Sequence, residues 1–94
     1  MSPLEDWGLT AQQVVEKLLK VWIVLNNGQP PRVHDLTALA ERSGLDIPPI
    51  LLALQVYAVE ARYEEGPFPL PADRAELLAS IRQLLADCER NAQS

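Results

Sequence analysis

The chain has few of the residues that build catalytic and metal centres. It contains one cysteine, Cys88, and one histidine, His34, so it cannot close an internal disulfide, and a Cys/His zinc site lacks its ligands. Its four glycines are isolated, which excludes a glycine-rich phosphate loop. No serine or cysteine has a histidine spaced as its general base. We therefore expect no hydrolase triad, no bound metal and no cofactor.

Positive charge is also scarce. Eight Lys and Arg residues stand against 13 Asp and Glu residues, for a formal net charge of −5. This balance argues against the broad phosphate-binding surface that duplex DNA requires. Apolar runs such as Val21–Leu25 are too short to span a bilayer, and the first eight residues carry acidic side chains where a signal peptide is basic. The composition predicts a cytoplasmic protein that binds neither duplex DNA nor a membrane.

The chain is rich in apolar residues at helical spacing. At 94 residues and 48% hydrophobic composition, the chain suits a single globular domain spanning residues 1–94. Thr10 and Gln13 form a capping-box pattern, and the following apolar positions recur every three or four residues until Asn26. A first helix is therefore predicted over residues 11–26, after a short N-terminal segment of residues 1–9. Its two adjacent apolar rows make it the expected central element.

Three further helices are predicted. One begins at Asp35 and ends at Ser43 before Gly44, and the next is capped by Asp46 and ends near Tyr63. An extended proline-rich connector over residues 64–71, with Phe68 and Leu70 packed on the core, leads to a last helix over residues 72–90. That helix is expected to bury Leu77, Ile81, Leu84, Leu85 and Cys88, and residues 91–94 are expected to fray. The fold class predicted is all-α, a small up-and-down bundle of about four helices.

Two stretches of the chain could together hold a phosphate or a base. His34 and Asp35 stand at the start of a predicted helix, where free N–H groups and the helix dipole favour anions, and Arg62 and Tyr63 place a guanidinium beside a phenol at the end of another. With the two lysines of the first helix, the candidate nucleotide-binding residues are Lys17, Lys20, His34, Asp35, Arg62 and Tyr63. A purely structural interpretation stays open, in which His34 and Asp35 cap their own helix and Arg62 neutralises carbonyls at the end of another.

The order of motifs resembles the HEPN domain family. The resemblance lies in the Gln-Gln and Glu-Lys pairs of residues 11–20, then in Pro30-Pro31, His34-Asp35-Leu36 and Arg62-Tyr63. It implies a helical bundle that commonly dimerises and, in many bacteria, a neighbouring minimal nucleotidyltransferase as partner. Such pairs often act as toxin and antitoxin, with the HEPN protein as ribonuclease; other members are described as substrate-binding companions of the transferase.

The ribonuclease role needs an arginine followed, after four to six residues, by a histidine. The positions that would satisfy this after Arg62 are residues 67–69, and none is histidine. Counting back from His34, residues 27–29 contain no arginine. A guanidinium to stabilise phosphate charge and an imidazole to move a proton are thus not paired. We predict a binding protein without its own ribonuclease activity.

HEPN proteins usually begin with a long helix before the Gln-Gln helix, and only residues 1–9 precede it here. The absence of that helix would expose apolar positions of the first predicted helix, a surface that soluble monomers seldom leave open. We therefore predict an interface, with a second copy or a partner, at Val15, Leu19, Trp22 and Ile23.

Two alternatives remain from the sequence. Residues 36–45, followed by Ile50 and Leu54, have the spacing of a helix-turn-helix, but the second helix carries no Lys or Arg before Arg62. The other alternative is a purely structural helical adaptor. The interpretation we favour is a HEPN-like homodimer that acts as companion of a nucleotidyltransferase, in a toxin–antitoxin or nucleotide-binding pair.

Overall fold

The computed structural model describes residues 3–57 and 70–93. These residues form four α-helices and no strands: α1 (Pro3–Leu25), α2 (Leu36–Ser43), α3 (Pro49–Leu52) and α4 (Arg74–Gln93), with a 3-10 helix, Ala53–Tyr57, directly after α3. The predicted all-α class is confirmed. The central role predicted for the first helix is confirmed as well, since α1 packs against α2, α4 and the 3-10 helix.

The start of α1 differs from the prediction. The helix begins at Pro3, where a proline ring suits the first turn and its missing N–H costs no hydrogen bond. Thr10 therefore lies inside the helix, and its hydroxyl donates to the backbone oxygen of Asp6 at 3.0 Å instead of capping a new helix. From Pro3 onward the predicted separate N-terminal segment is part of α1, and Trp7 packs against the core.

The end of α1 agrees with the prediction to within one residue. Its last helical residue is Leu25. Asn27 takes a left-handed conformation with φ 63°, and the Gly28 N–H then donates to the Ile23 carbonyl at 2.8 Å. This hydrogen bond closes the helix end and turns the chain away.

Helix α2 has a residue with a capping role at each end, Asp35 and Gly44. The Asp35 side chain accepts a hydrogen bond from the Thr37 N–H at 2.9 Å, so it caps the first turn. Gly44 ends the helix with φ 76°, a conformation that glycine adopts without strain. Both predicted caps of this helix are confirmed.

The third predicted helix is shorter and differently wound. Pro48 is the residue before α3 and provides no side-chain cap, so Asp46 does not cap this helix as predicted. After Leu52 the backbone tightens into the 3-10 helix. Three residues per turn place Leu51, Leu54 and Tyr57 on one side, and all three are fully buried. The predicted continuation through residues 58–63 lies outside the described residues.

Helix α4 begins at Arg74 and continues through residues 91–93, which were expected to fray. Leu77, Ile81, Leu84 and Cys88 are buried as predicted, whereas Leu85 is 43% exposed. Leu85 follows Leu84 by one position, which rotates it about 100° away from the buried side. Leu70 packs on the core as expected, and Phe68 lies outside the described residues.

A close contact joins α1 to the 3-10 helix. Gly8 is buried within α1, and a Cβ built there would lie 2.8 Å from two carbon atoms of the Tyr57 ring. Any larger side chain would occupy the space of that ring. The fully buried Tyr57 therefore depends on glycine at this position.

Candidate functional site

The row of α1 that we predicted as an interface is mostly inside the molecule. Val15 and Leu19 are completely buried, and Ile23 is 4% exposed. These side chains belong to the core that α1 forms with its neighbouring helices, so they are not available to a partner. The interface prediction is wrong for these three residues; Trp22, the fourth, is partly exposed.

A neighbouring row of α1 is exposed instead. We call Val14, Leu18, Val21 and Leu25 the α1 stripe. Leu18 is partly exposed, and the other three side chains are 39%, 46% and 37% exposed, respectively. Val24, beside the stripe, is 56% exposed. The wide apolar surface predicted for this helix thus exists, but the row of Val15, Leu19 and Ile23 is buried and only the neighbouring row reaches solvent.

A polar ladder occupies the other side of α1. Gln12, Glu16 and Lys20 are spaced four residues apart, so their side chains lie one above another. The Gln12 amide donates to one Glu16 carboxylate oxygen at 3.3 Å, and the Lys20 ammonium donates to the other at 3.2 Å. Gln12 is only 1% exposed, which fixes the lower end of the ladder in the core.

The α1–α2 connection brings His34 to the same carboxylate. His34 Nδ1 lies 2.8 Å from Glu16 Oε2, across 18 residues of sequence. Because an ionised carboxylate can only accept, the geometry assigns the proton to Nδ1. Burial alone raises the pKa of Glu16, but hydrogen bonds from His34, Lys20 and Gln12 outweigh that effect and lower it below its usual value. Glu16 is therefore a carboxylate at neutral pH.

The six candidate nucleotide-binding residues do not form one site within the described part of the chain. Glu16 brings Lys20 and His34 together, whereas Asp35 caps α2 with its carboxylate. Lys17 is exposed and has no ion pair or hydrogen bond with any described residue. Arg62 and Tyr63 lie outside the described residues.

This arrangement is better suited to holding the α1–α2 connection than to holding a phosphate. The Glu16 carboxylate compensates the positive charge that Lys20 supplies, and it would repel an anion placed between Lys20 and His34. Cys88 offers no nucleophile nearby, since it is buried and donates to the Leu18 carbonyl at 3.6 Å. Burial also raises the pKa of its thiol. Among the residues described, no group of three or more His, Cys, Asp or Glu residues could hold a metal ion.

Sequence reasoning missed three residues that organise this region. Two of them, Gln12 and Glu16, could have been identified from their i, i+4 spacing with Lys20 on the first helix. Gln55 accepts a hydrogen bond from the Leu36 N–H at 2.8 Å and so satisfies a free donor at the start of α2. No local pattern marks Gln55, because its partner lies 19 residues away.

The helix-turn-helix alternative loses support from the described residues. There, its would-be recognition helix is the four-residue α3 followed by the 3-10 helix, and it buries Leu51, Leu54 and Tyr57 in the core. A recognition helix needs a side free to enter the DNA groove, so we do not favour this alternative.

Comparison with known proteins supplies the family. The family model of the HEPN domain matches residues 2–91, nearly the whole chain. This chain belongs to the HEPN family. No curated protein and no solved structure gives a significant match to it. Within the described residues, this HEPN domain has no helix long and apolar enough to cross a membrane.

Proposed function

We propose that this HEPN protein acts by binding, as the companion of a nucleotidyltransferase, and that it is not a ribonuclease. The observation that carries the proposal is the α1 stripe, a continuous apolar surface left open on the longest helix of the described chain. Exposed apolar surface of this kind marks an interaction site in soluble proteins. A toxin–antitoxin relationship within such a pair, and a cytoplasmic location, remain part of the proposal.

Two further observations support a binding role. No arginine is separated by four to six residues from the only histidine that follows it, so the ribonuclease motif of the family is absent. His34 is also held through Nδ1 by a carboxylate that two other side chains fix in place. The residue on which family catalysis would depend is thus engaged in a structural contact.

The test begins with the reading frame next to this one, which is expected to encode the Gly-Ser and Asp-x-Asp signature of a minimal nucleotidyltransferase. The two proteins are then coexpressed with a tag on one of them. We expect copurification at a fixed ratio, lost in Val21→Asp and kept in Leu85→Asp, a control of similar exposure on α4. Copurification that Leu85→Asp abolishes and Val21→Asp does not would contradict the proposal.

The ribonuclease question has its own assay. The purified protein is incubated with tRNA and mRNA beside a His34→Ala variant. We expect the two preparations to leave the RNA equally intact. Cleavage that disappears in His34→Ala would show a ribonuclease and refute this part of the proposal.

Nucleotide binding by this chain is a second candidate function. Lys20 and His34 lie on one surface, but both bind the Glu16 carboxylate, so a nucleotide phosphate would have to displace that carboxylate to reach them. Such binding would involve Lys17, Lys20, His34, Asp35, Arg62 and Tyr63. Titration with ATP then raises the melting temperature in proportion to the logarithm of ligand concentration, and Lys20→Ala removes the effect. A melting temperature that does not respond to ATP indicates that the protein is an adaptor.

A second copy of the chain is the alternative partner for the α1 stripe. Light scattering distinguishes the two cases before any partner is added. If the protein is a dimer that Val21→Asp converts to a monomer, the stripe mediates self-association. If the protein is already a monomer, the stripe stays available as the binding surface for the transferase.

A further inference from the structure

We propose that the α1 stripe receives an acidic amphipathic helix of a partner protein, and that Lys17 is the contact for its carboxylates. This inference rests on the proposed function, because it specifies the chemistry of the surface that the companion would present. It is argued from the spacing of the stripe, the shape of one of its ends and the charges beside it.

The spacing of the stripe indicates a helical occupant. Its residues follow one another at intervals of four, three and four positions, the repeat that lets two helices pack along a shared seam. The stripe runs from Val14 to Leu25 of α1, which corresponds to a ridge about 18 Å long. A second helix lying along this ridge would cover all four side chains at once.

One end of the stripe is concave. Lys20, Val21, Val24 and Leu25 line a shallow cavity of about 230 Å³. The cavity has room for one large apolar side chain, and aliphatic groups surround that position. An apolar anchor of the partner helix, seated in this cavity, would bury Val21 and Val24 more completely than a flat contact does.

The charge beside the stripe selects an acidic partner. Lys17 lies three residues after Val14 and four before Val21, so all three share one side of α1. Its ammonium has no ion pair with any described residue, although the chain carries an excess of acidic residues. A partner carboxylate would reach it at the edge of an apolar contact, where the exclusion of water strengthens the attraction.

A second copy of this chain does not offer that carboxylate from the same surface. Along the stripe itself, from Val14 to Leu25, the charged residues are Glu16, Lys17 and Lys20; Asp6, on the same side of α1, lies two turns before the stripe begins. Glu16 is only 13% exposed in its side chain and already accepts from Gln12, Lys20 and His34. Two stripes packed together would therefore bring unpaired lysines near each other, which is unfavourable.

The experiment uses two synthetic helical peptides as probes. Both carry leucines at intervals of four and three, and they differ only in the flanking positions, which are Glu in one and Lys in the other. Binding of each labelled peptide to the full chain is measured by fluorescence anisotropy at low and at physiological salt. We expect the acidic peptide to bind at least about tenfold more tightly, with the difference reduced by salt.

Four variants of the chain locate the contact. Lys17→Glu is expected to reverse the preference between the two peptides, and Val21→Ser is expected to weaken both. Arg82→Glu and Leu85→Ser, on exposed positions of α4, are the matched charge and apolar controls and should leave binding unchanged. Circular dichroism of the four variants is the control that each of them folds.

Several results would overturn the inference. These are equal binding of the two peptides, no binding of either, or an effect of Arg82→Glu as large as that of Lys17→Glu. Self-association that Val21→Ser abolishes would assign the stripe to a second copy. If the acidic peptide binds as expected but no nucleotidyltransferase copurifies, the inference stands and the proposed function fails.

Discussion

At the scale of single residues, Glu16 has the largest share in organising the polar side of α1. It receives hydrogen bonds from its own helix through Gln12 and Lys20 and from the α1–α2 connection through His34. It lies between two groups that the sequence identified as possible phosphate contacts. Because Glu16 binds both Lys20 and His34, these two residues can be explained by a structural carboxylate as well as by a nucleotide phosphate.

The lowered pKa of Glu16 predicts an acid-dependent loss of stability. Because the folded protein depresses this pKa below 4.5, the stabilising effect is present above about pH 4.5 and is lost as the pH falls through the folded pKa. At neutral pH, Glu16→Gln should lower the free energy of unfolding by about 1 kcal/mol. Urea denaturation at several pH values should show the gap between the two proteins narrowing below pH 4.5. A gap that stays constant down to pH 3 would contradict this role.

Gly8 supports a second prediction at this scale. In an ordinary exposed helix, Gly→Ala stabilises by about 1 kcal/mol. Here the added methyl group would meet the Tyr57 ring at 2.8 Å, so we expect Gly8→Ala to destabilise the protein by about 1–3 kcal/mol. Thermal unfolding of the unsubstituted protein, Gly8→Ala, Tyr57→Leu and the double variant tests the cause, because Tyr57→Leu alone also loses buried contacts. Gly8→Ala should cost less in the Tyr57→Leu background than in the unsubstituted protein, and an equal cost in both would place the strain elsewhere.

At the scale of elements, the caps around α2 show what a local pattern can specify. The Asp35 side chain accepts from the Thr37 N–H, so Asp35→Ala should cost about 1 kcal/mol of stability. Asp35→Asn keeps an oxygen acceptor and should retain most of it. Chemical denaturation of the two variants gives the comparison, and equal losses would indicate that the negative charge matters more than the hydrogen bond.

The sequence predicted most of the helices because their caps and apolar spacing are local. Gly44 ends α2 as predicted, and Asp35 caps it as the structural interpretation had it; both act within a few residues. The start of α1 was misplaced because Thr10 can satisfy its hydroxyl inside a helix as well as at a cap. The 3-10 helix after Leu52 was not predicted, because it packs Leu54 and Tyr57 against α1, and that contact leaves no pattern in the local sequence.

The candidate site was less predictable than the fold for the same reason. Lys20 and His34 were chosen as possible phosphate contacts, but the residue that brings them together, Glu16, belongs to both a helix ladder and a contact between distant segments. Which of two apolar rows faces solvent depends on where α2 and α4 pack, so Val15, Leu19 and Ile23 were assigned to the wrong side. Both errors concern contacts between elements that are distant in sequence.

At the scale of the whole molecule, one apolar row of α1 fills the core and the α1 stripe faces solvent. Substitutions in the two rows should therefore differ in their effect on the free energy of unfolding. Leu19→Ala removes a fully buried side chain and should lower the free energy of unfolding by about 2–5 kcal/mol. Val21→Ala, on the α1 stripe, should change it by about 0.5 kcal/mol or less. Equilibrium denaturation of the isolated protein measures both values. A large loss in Val21→Ala at low protein concentration would mean that the stripe is covered within one chain.

The contact between Gly8 and Tyr57 has a consequence for biosynthesis. The first turns of α1 leave the ribosome early, yet the aromatic ring that covers them is translated almost 50 residues later. Until then this end of the helix has no such cover, and isolated helices are only marginally stable in water. The first turns of α1, although made before Tyr57, therefore gain their final packing only after the chain as far as Tyr57 has emerged.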